Sequence, residues 1–246
     1  MQISPPFGYT DVVPLLKTHR VRLMRAGEAP PFVRTLNAIP ISYTEFAPAA
    51  RDYPLVFTSA DGGKTYAPVA VLGMRAGENL FSAADAWAQE VYVPAYARRY
   101  PFCMAKVRRQ AVEQPERLIC VEQACIGGAD GEPLFDDTGE PLAKWRDLQR
   151  LLVGYEADLE RGRALCAILA DYALLQPFSM QAKLDQGGQM QLTGMHRVDE
   201  SKIGHLNASQ FRNLAKKGIL GRIYAHLLSL ENFARLLRRR AARPSS

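Results

Sequence analysis

The residues with the widest chemical range lie near the C-terminus, in MHRVDESKIGH, which holds His196, Asp199, Glu200 and His205, with His226 further on. Two imidazoles and a carboxylate can bind iron or another divalent metal and leave positions open for substrate. A metal-dependent oxygenase or hydrolase is therefore one reading of the chain. The spacing works against it. A strand turns alternate residues to opposite faces, so His196 and Asp199 diverge unless the backbone bends between them. The His-x-Asp/Glu spacing of dioxygenases is absent, and Arg197, Asp199, Glu200 and Lys202 form an ordinary ion-pair cluster at a strand end.

A second concentration of specific residues runs from Pro68 to Phe102. Arg75, Glu78 and Asn79 lie in the glycine-punctuated GMRAGENLF, and Trp87 is one of only two tryptophans. Tyr92, Tyr96 and Tyr100 then recur at four-residue spacing, with Arg98 and Arg99 beside them. Pro94 at the start and Pro101 beyond the end frame a two-turn helix that puts the three phenols roughly on one face and both arginines elsewhere. A phenol-lined pocket mouth with an arginine at its rim makes these nine residues the expected ligand-binding set. The competing reading is that the tyrosines anchor the helix to a sheet.

Other chemistries find less support. Cys103, Cys120, Cys125 and Cys166 include no CxxC pair, and the Cys-x4-Cys spacing is too loose for a zinc knuckle without a second pair. No G-x-S-x-G elbow, Walker loop or Rossmann glycine pattern is present. The acids of GADGEPLFDDTGE do not match a calcium loop and read as solvated turns around Leu134 and Phe135. No cofactor is expected.

The net charge of +6 is unevenly spread. Residues 201–246 carry ten Lys/Arg against Glu231, whereas residues 111–160 carry twelve Asp/Glu against four Lys/Arg. Binding of nucleic acid or an anionic surface through Arg235, Arg238, Arg239 and Arg240 is a third reading. No RNA-recognition signature or zinc finger accompanies it, so nucleic acid is disfavoured. The tail is expected to dock on the acidic segment or to be solvated. The N-terminus lacks a basic signal-peptide region and no apolar run reaches membrane-spanning length, so a cytoplasmic protein without a membrane span is the expectation.

The elements that must position these groups follow from periodicity. Residues 1–30 read as an irregular lead-in, FVRTLNAIPI as an edge strand, and SYTEFAPAARDYP as a short helix capped by Ser42. LVFTS and YAPVAVLGM form a hairpin around DGGK, and RLICVEQ is a further strand. From Pro141 an apolar three-to-four spacing continues from Trp145 to Tyr172, giving one long helix. FSMQAKLD and QMQLTGMHRVD are strands joined by a Gln-Gly-Gly turn. Asn207 caps a basic helix stopped at Gly218, and ILGRIYAHLLSLENFARLLRRR reads as one final amphipathic helix. The fold class is α+β: a central, mainly antiparallel sheet packed by the long helix and the C-terminal helices. The expected organisation is the lead-in, one domain over residues 31–237, and a basic tail over residues 238–246.

Taken together, Glu45-Phe46, Tyr53-Pro54, GMRAGENLF, YVPAYARRYPF, GEPLFDDTGEP, HRVDESKI and IYAHLLSLENFARLL resemble the SapC family of bacterial proteins. The resemblance implies a nominal association with bacterial surface layers and brings no catalytic motif with it. It further implies an accessory role beside a flavin-dependent halogenase-like enzyme, in modification of a peptide or exported receptor. The expected function is recognition of a protein, peptide or small-molecule partner, with metal-dependent catalysis as the alternative.

Overall fold

The computed structural model describes residues 2–83, 85–109, 112–183 and 189–243. The first thirty residues, expected to be irregular, supply three short strands: β1 (Gln2–Ile3), β2 (Val12–Pro14) and β3 (Arg20–Val21). Pieces of two or three residues carry no periodicity for a sequence reading to detect. Instead of an edge strand through Phe32, a one-turn helix at Pro31–Thr35 precedes β4 (Ala38–Pro40). Ser42 and Glu45 close a capping box, and α1 (Phe46–Ala50) follows. The hairpin of β5 (Leu55–Thr58) and β6 (Ala67–Val71) forms as expected. In its turn Asp61 accepts from the Lys64 and Thr65 N–H groups and the Thr65 hydroxyl, which holds its carboxyl down at about 2.

Beyond it come β7 (Ser82–Ala83), β8 (Ala86–Trp87), α2 (Ala95–Arg98), β9 (Phe102–Arg109), β10 (Val112–Glu122) and β11 (Glu132–Pro133). The long helix is α3 (Ala143–Asp171), about 43 Å from end to end at 1.5 Å per residue. Then follow β12 (Leu175–Lys183), β13 (Gln189–Val198), α4 (Glu200–Ile203), α5 (Ala208–Lys216), α6 (Ile219–Ser229) and α7 (Asn232–Ala241). The Gln186–Gly188 turn and the last three residues of the tail lie outside the described residues.

The fold class is α+β with antiparallel sheets, but the strands divide. One sheet has the order β12-β13-β5-β6-β4, and a second the order β1-β9-β10-β2. Each has its own apolar core. Phe46, Tyr53, Leu55 and Phe57 centre the first, beneath the C-terminal helices; Phe102, Cys103, Val121 and Trp145 centre the second. Helix α3 serves both, giving Trp145 and Leu152 to the second core and Tyr155, Leu165 and Leu169 to the first.

The expected single final helix is two. Ser229 takes the Leu55 N–H at 2.9 Å and donates to the His226 carbonyl at 2.6 Å, and the turn beyond it is closed by bonds reaching three residues back. Asn232 then clamps the Ala50 and Tyr53 carbonyls, redirecting the chain into α7. The basic tail docks, but not on the acidic segment. Helix α7 continues through it to Ala241, Arg240 pairs with Glu78, and the Arg239 guanidinium lies 4.5 Å from the Phe81 ring centre. The shielded Glu78 carboxylate, the Phe81 ring and the Ser82 carbonyl take the tail's arginines, whereas pairing of Arg with exposed carboxylates is weak in water.

At the start of α5, Asn207 accepts the Gln210 N–H at 2.9 Å while the Gln210 side chain accepts the Asn207 N–H. Asn207→Ala is expected to cost about 1 kcal/mol in urea unfolding, because a first-turn donor loses its partner. An unchanged midpoint would remove the cap from the account of where α5 begins.

Candidate functional site

The segment from Tyr92 to Tyr100 is organised by Glu45, whose side chain is buried. Its Oε2 accepts the Ser42 N–H at 2.7 Å, and its Oε1 accepts the Tyr92 hydroxyl at 2.9 Å and the Ala95 N–H at 2.6 Å. One carboxylate thereby closes the turn before α1 and caps the first turn of α2. Asp52 accepts the Tyr92 N–H, the Tyr53 hydroxyl donates to the Tyr92 carbonyl, and Trp87 Nε1 donates to the Tyr53 hydroxyl at 2.9 Å. On the outer side, Arg98 donates to the Val93 carbonyl and the Tyr92 hydroxyl. Burial and the adjacent Glu45 push the Tyr92 phenol up to about 12.

Arg99 departs from the expectation that both arginines point away from the tyrosines. It is 3 % exposed, with its guanidinium 4.2 Å from the Tyr96 ring centre, 4.8 Å from Tyr155 and 5.7 Å from Tyr9. Glu156 on α3 approaches it at 3.7 Å and also pairs with Arg117. The expected two-turn helix is a single turn, Ala95–Arg98, with Tyr92 before it and Arg99 and Tyr100 beyond it, so the three phenols share no helical face and Arg99 turns inward. Tyr9 and Tyr100 belong to the second core, Tyr96 and Tyr155 to the first, so Arg99 sits at their junction. Burial raises the Tyr9, Tyr96 and Tyr155 phenols above their usual range, and raises the Glu156 carboxyl against the pull of Arg117 and Arg99. The Arg99 Nε has no hydrogen-bond partner among the described residues.

The rest of the expected ligand set is also engaged. Asn79 donates to the Val33 carbonyl and accepts the Phe81 N–H. Glu78 accepts the Met74 N–H and faces Arg75 and Arg240. A Cβ on Gly73 would meet the Glu78 carbonyl oxygen at 2.0 Å, so only glycine fits the base of this loop. The Tyr100 hydroxyl accepts from the Cys125 thiol at 3.4 Å, and the Tyr96 hydroxyl donates to the Phe7 carbonyl. The structure brings Tyr92, Tyr96, Arg98, Arg99 and Tyr100 together around α2. Of this set, Arg75 and Arg98 are exposed and Tyr92 is half-buried, while Trp87, Tyr96, Arg99 and Tyr100 are core.

The candidate metal ligands are placed apart. His196 lies mid-sheet, opposite Phe57 and Pro177, with its ring against Tyr66. Asp199 caps α4, Glu200 is exposed, and the His205 ring bonds to the Ser201 carbonyl. His226 is fully buried on α6: its Nδ1–H donates to the Leu55 carbonyl at 2.8 Å and its Nε2 accepts the Val198 N–H at 3.0 Å. Among the described residues no three His, Cys, Asp or Glu side chains are grouped to hold a metal ion. All four cysteines are free and buried, and burial pushes Cys103 and Cys166 to about 12 and Cys120 to about 11. Such thiols are protonated at neutral pH and poor nucleophiles. Asp136 spends its carboxylate on the Thr138 and Glu140 N–H groups, as expected of a solvated turn.

Sequence reasoning missed two groups. The first is the set of partners of the tyrosine segment: Glu45, Tyr9, Tyr155 and Glu156. Ser42-x-x-Glu45 is a readable capping-box pattern; nothing local links Glu45 to Tyr92. The second is the outer face of α6. Its inner face is Ile219, Ile223, His226 and Ser229, yet Tyr224 and Leu228 on the opposite side are 45 % and 71 % exposed, and Phe211 on neighbouring α5 is 46 % exposed. The readable signal is a helix whose apolar residues spread past the inner face to Tyr224 and Leu228, too wide an apolar arc for an ordinary surface helix. A separate open groove of about 640 Å³ runs along β2, lined by Val13, Leu16, His19 and Ile126 among others. No helix among the described residues is long and apolar enough to cross a membrane.

No curated protein and no solved structure matches the chain. A family model, SapC, does, and its match runs over residues 16–236, through both cores, the Glu45–Tyr92–Arg99 network and the outer face of α6. The match takes in nearly every element described above, and the chain belongs to the SapC family.

Proposed function

We propose that the chain is a binding or accessory protein that recognises another protein or a peptide, and that α5 and α6 present the recognising surface. One observation carries this reading. The chemically versatile side chains are committed to the fold, whereas Phe211, Tyr224 and Leu228 remain open on adjacent helices. Clustered exposed apolar side chains with a polar surround mark interaction sites, while scattered ones do not. The GMRAGENLF loop supports this surface indirectly: Glu78, one of the nine residues, and Phe81 beside it hold α7, which follows α6. A small molecule approaching Tyr92, Arg98 and Arg75, the exposed part of that set, is the narrower form of the same reading.

The partner to test first is the flavin-dependent halogenase-like enzyme that the family resemblance suggests, in the context of peptide or receptor modification. Tyr224→Asp combined with Leu228→Asp is expected to leave urea stability within about 0.5 kcal/mol, since both side chains are exposed. It is expected to weaken the complex at least about 100-fold by titration calorimetry, as a charge at the centre of an apolar contact does. Retention of the complex by the double variant would overturn the assignment of the surface.

A further inference from the structure

We propose that the α5–α6 face takes an acidic amphipathic helix of the partner protein; this rests on the reading of that face as a docking surface. The apolar part comes first. Exposed Tyr224 and Leu228 continue the line of half-buried Leu220 at four-residue spacing along α6, a seam about 12 Å long at 1.5 Å per residue. Gly221 lies beside it, and a Cβ placed there meets nothing within 4 Å. The seam is narrow and has a notch where a second backbone can come close. A helix carrying apolar residues at i, i+3 or i+4, and i+7 matches that shape.

Charge then selects the partner. From Lys202 to Leu230 the chain has five cations and no carboxylate. Arg222 is held by the Tyr43 ring and the Gly218 carbonyl, and Lys202 by the Ala173 carbonyl. Arg212, Lys216 and Lys217 are exposed on α5 and at its end, and among the described residues none of them forms an ion pair. On the helical wheel Arg212 and Lys216 oppose the buried Leu214 and so face outward, with Arg212 next to Phe211. A cationic rim beside an apolar seam favours a ligand with acids flanking its leucines. A second copy of this chain fits poorly, because a two-fold contact through this face sets like-charged rims against each other. A lipid surface is flat, and neither the notch nor the single-helix seam answers to it.

The test uses the full chain and a synthetic 16-residue helical peptide with leucines at i, i+4, i+7 and i+11 and glutamates on both flanks. The controls are the same peptide with lysines for glutamates, and phosphatidylcholine vesicles containing half phosphatidylglycerol. Fluorescence anisotropy is expected to show saturable binding of the acidic peptide, weakened at least about tenfold by lysine replacement and by raising salt from about 50 to 500 mM. Lys216→Glu with Arg212→Glu, both exposed and unpaired, is expected to reverse the preference between the two peptides, and Leu228→Asp to abolish binding of either. Equal binding of both peptides, no reversal in the charge variant, or vesicle binding without peptide binding would each overturn the proposal. If the halogenase-like partner binds and the Tyr224/Leu228 variant loses it while the acidic peptide is ignored, the docking surface stands and only the partner's chemistry is wrong.

Discussion

Arg99→Ala is expected to lower the free energy of unfolding by about 3–5 kcal/mol, seen as a fall in the urea midpoint at unchanged slope. Three losses act together. The guanidinium leaves the rings of Tyr9, Tyr96 and Tyr155, and cation–π contacts that are desolvated reach about 2 kcal/mol or more. Glu156, itself largely buried, keeps only Arg117 as a close buried-side partner. The space left lies between two cores, where α3 fixes the walls and collapse is restricted. The partnerless Nε works the other way, since its burial already costs something in the parent. Arg99→Met separates these contributions. It refills much of the volume without the charge, so it is expected to recover part of the loss, and a Glu156→Gln change made on top of it should cost less than the same change in the parent. A loss below about 1 kcal/mol for Arg99→Ala would mean that the cage is incidental to stability, because exposed or isolated arginines give values of that size.

The same residue shows where the sequence was informative and where it was not. Fold class was legible because its signals are local. The β5–β6 hairpin declares itself by strand formers around Asp61-Gly-Gly-Lys64, α3 by an apolar period sustained through 29 residues, and α5 by Asn207 and Gly218 at its ends. The tyrosine spacing marks the place of α2 but not its form, since one turn replaces the expected two and Tyr96 and Tyr100 enter different cores. What organises that segment comes from residues 42–53, 9 and 155–156, and long-range partners leave no local periodicity. Helical spacing turns Arg99 away from the tyrosines, and arginine is rarely buried; here three phenols and Glu156 supply the compensation that burial requires.

The C-terminal region fails for a different reason. An apolar pattern through Ile219–Leu237 continues without a proline or glycine break after Gly221, so periodicity alone runs α6 into α7. Ser229 and Asn232 break it by binding Leu55, Ala50 and Tyr53, residues about 180 positions earlier. The excess of leucine in α6 was then absorbed into an assumed buried face. Surplus apolar residues in a helix report that two faces need covering, and they do not say by what.

His226 is expected to make stability fall as pH drops from about 6.5 towards 4, by about 2 kcal/mol between pH 7.5 and pH 5. In the folded chain the imidazole is neutral, because burial chiefly, and the nearby Arg197 in lesser part, hold its affinity for a proton down at about 4 against an ordinary 6.5. The Leu55 carbonyl, accepting from Nδ1–H, opposes this only partly. Since the unfolded chain takes up the proton first, the stabilisation is complete above pH 6.5, declines below it and is gone near pH 4. Protonation also removes the Nε2 lone pair that accepts the Val198 N–H, so the link between α6 and β13 is lost with the same proton. The comparison that isolates this group is His226→Gln, whose amide offers a donor and an acceptor but does not titrate. The variant should be less stable at pH 7.5 and should show a shallower decline to pH 5 than the parent, with the difference tracing one proton. Carboxylates such as Asp61, held down near 2, titrate below this window and cancel in the comparison. Parallel curves for parent and variant would show that the buried imidazole does not set the acid limit of the fold. A converging pair would tie that limit to the junction of α6 with the sheet, the same helix whose outer face is proposed to meet the partner.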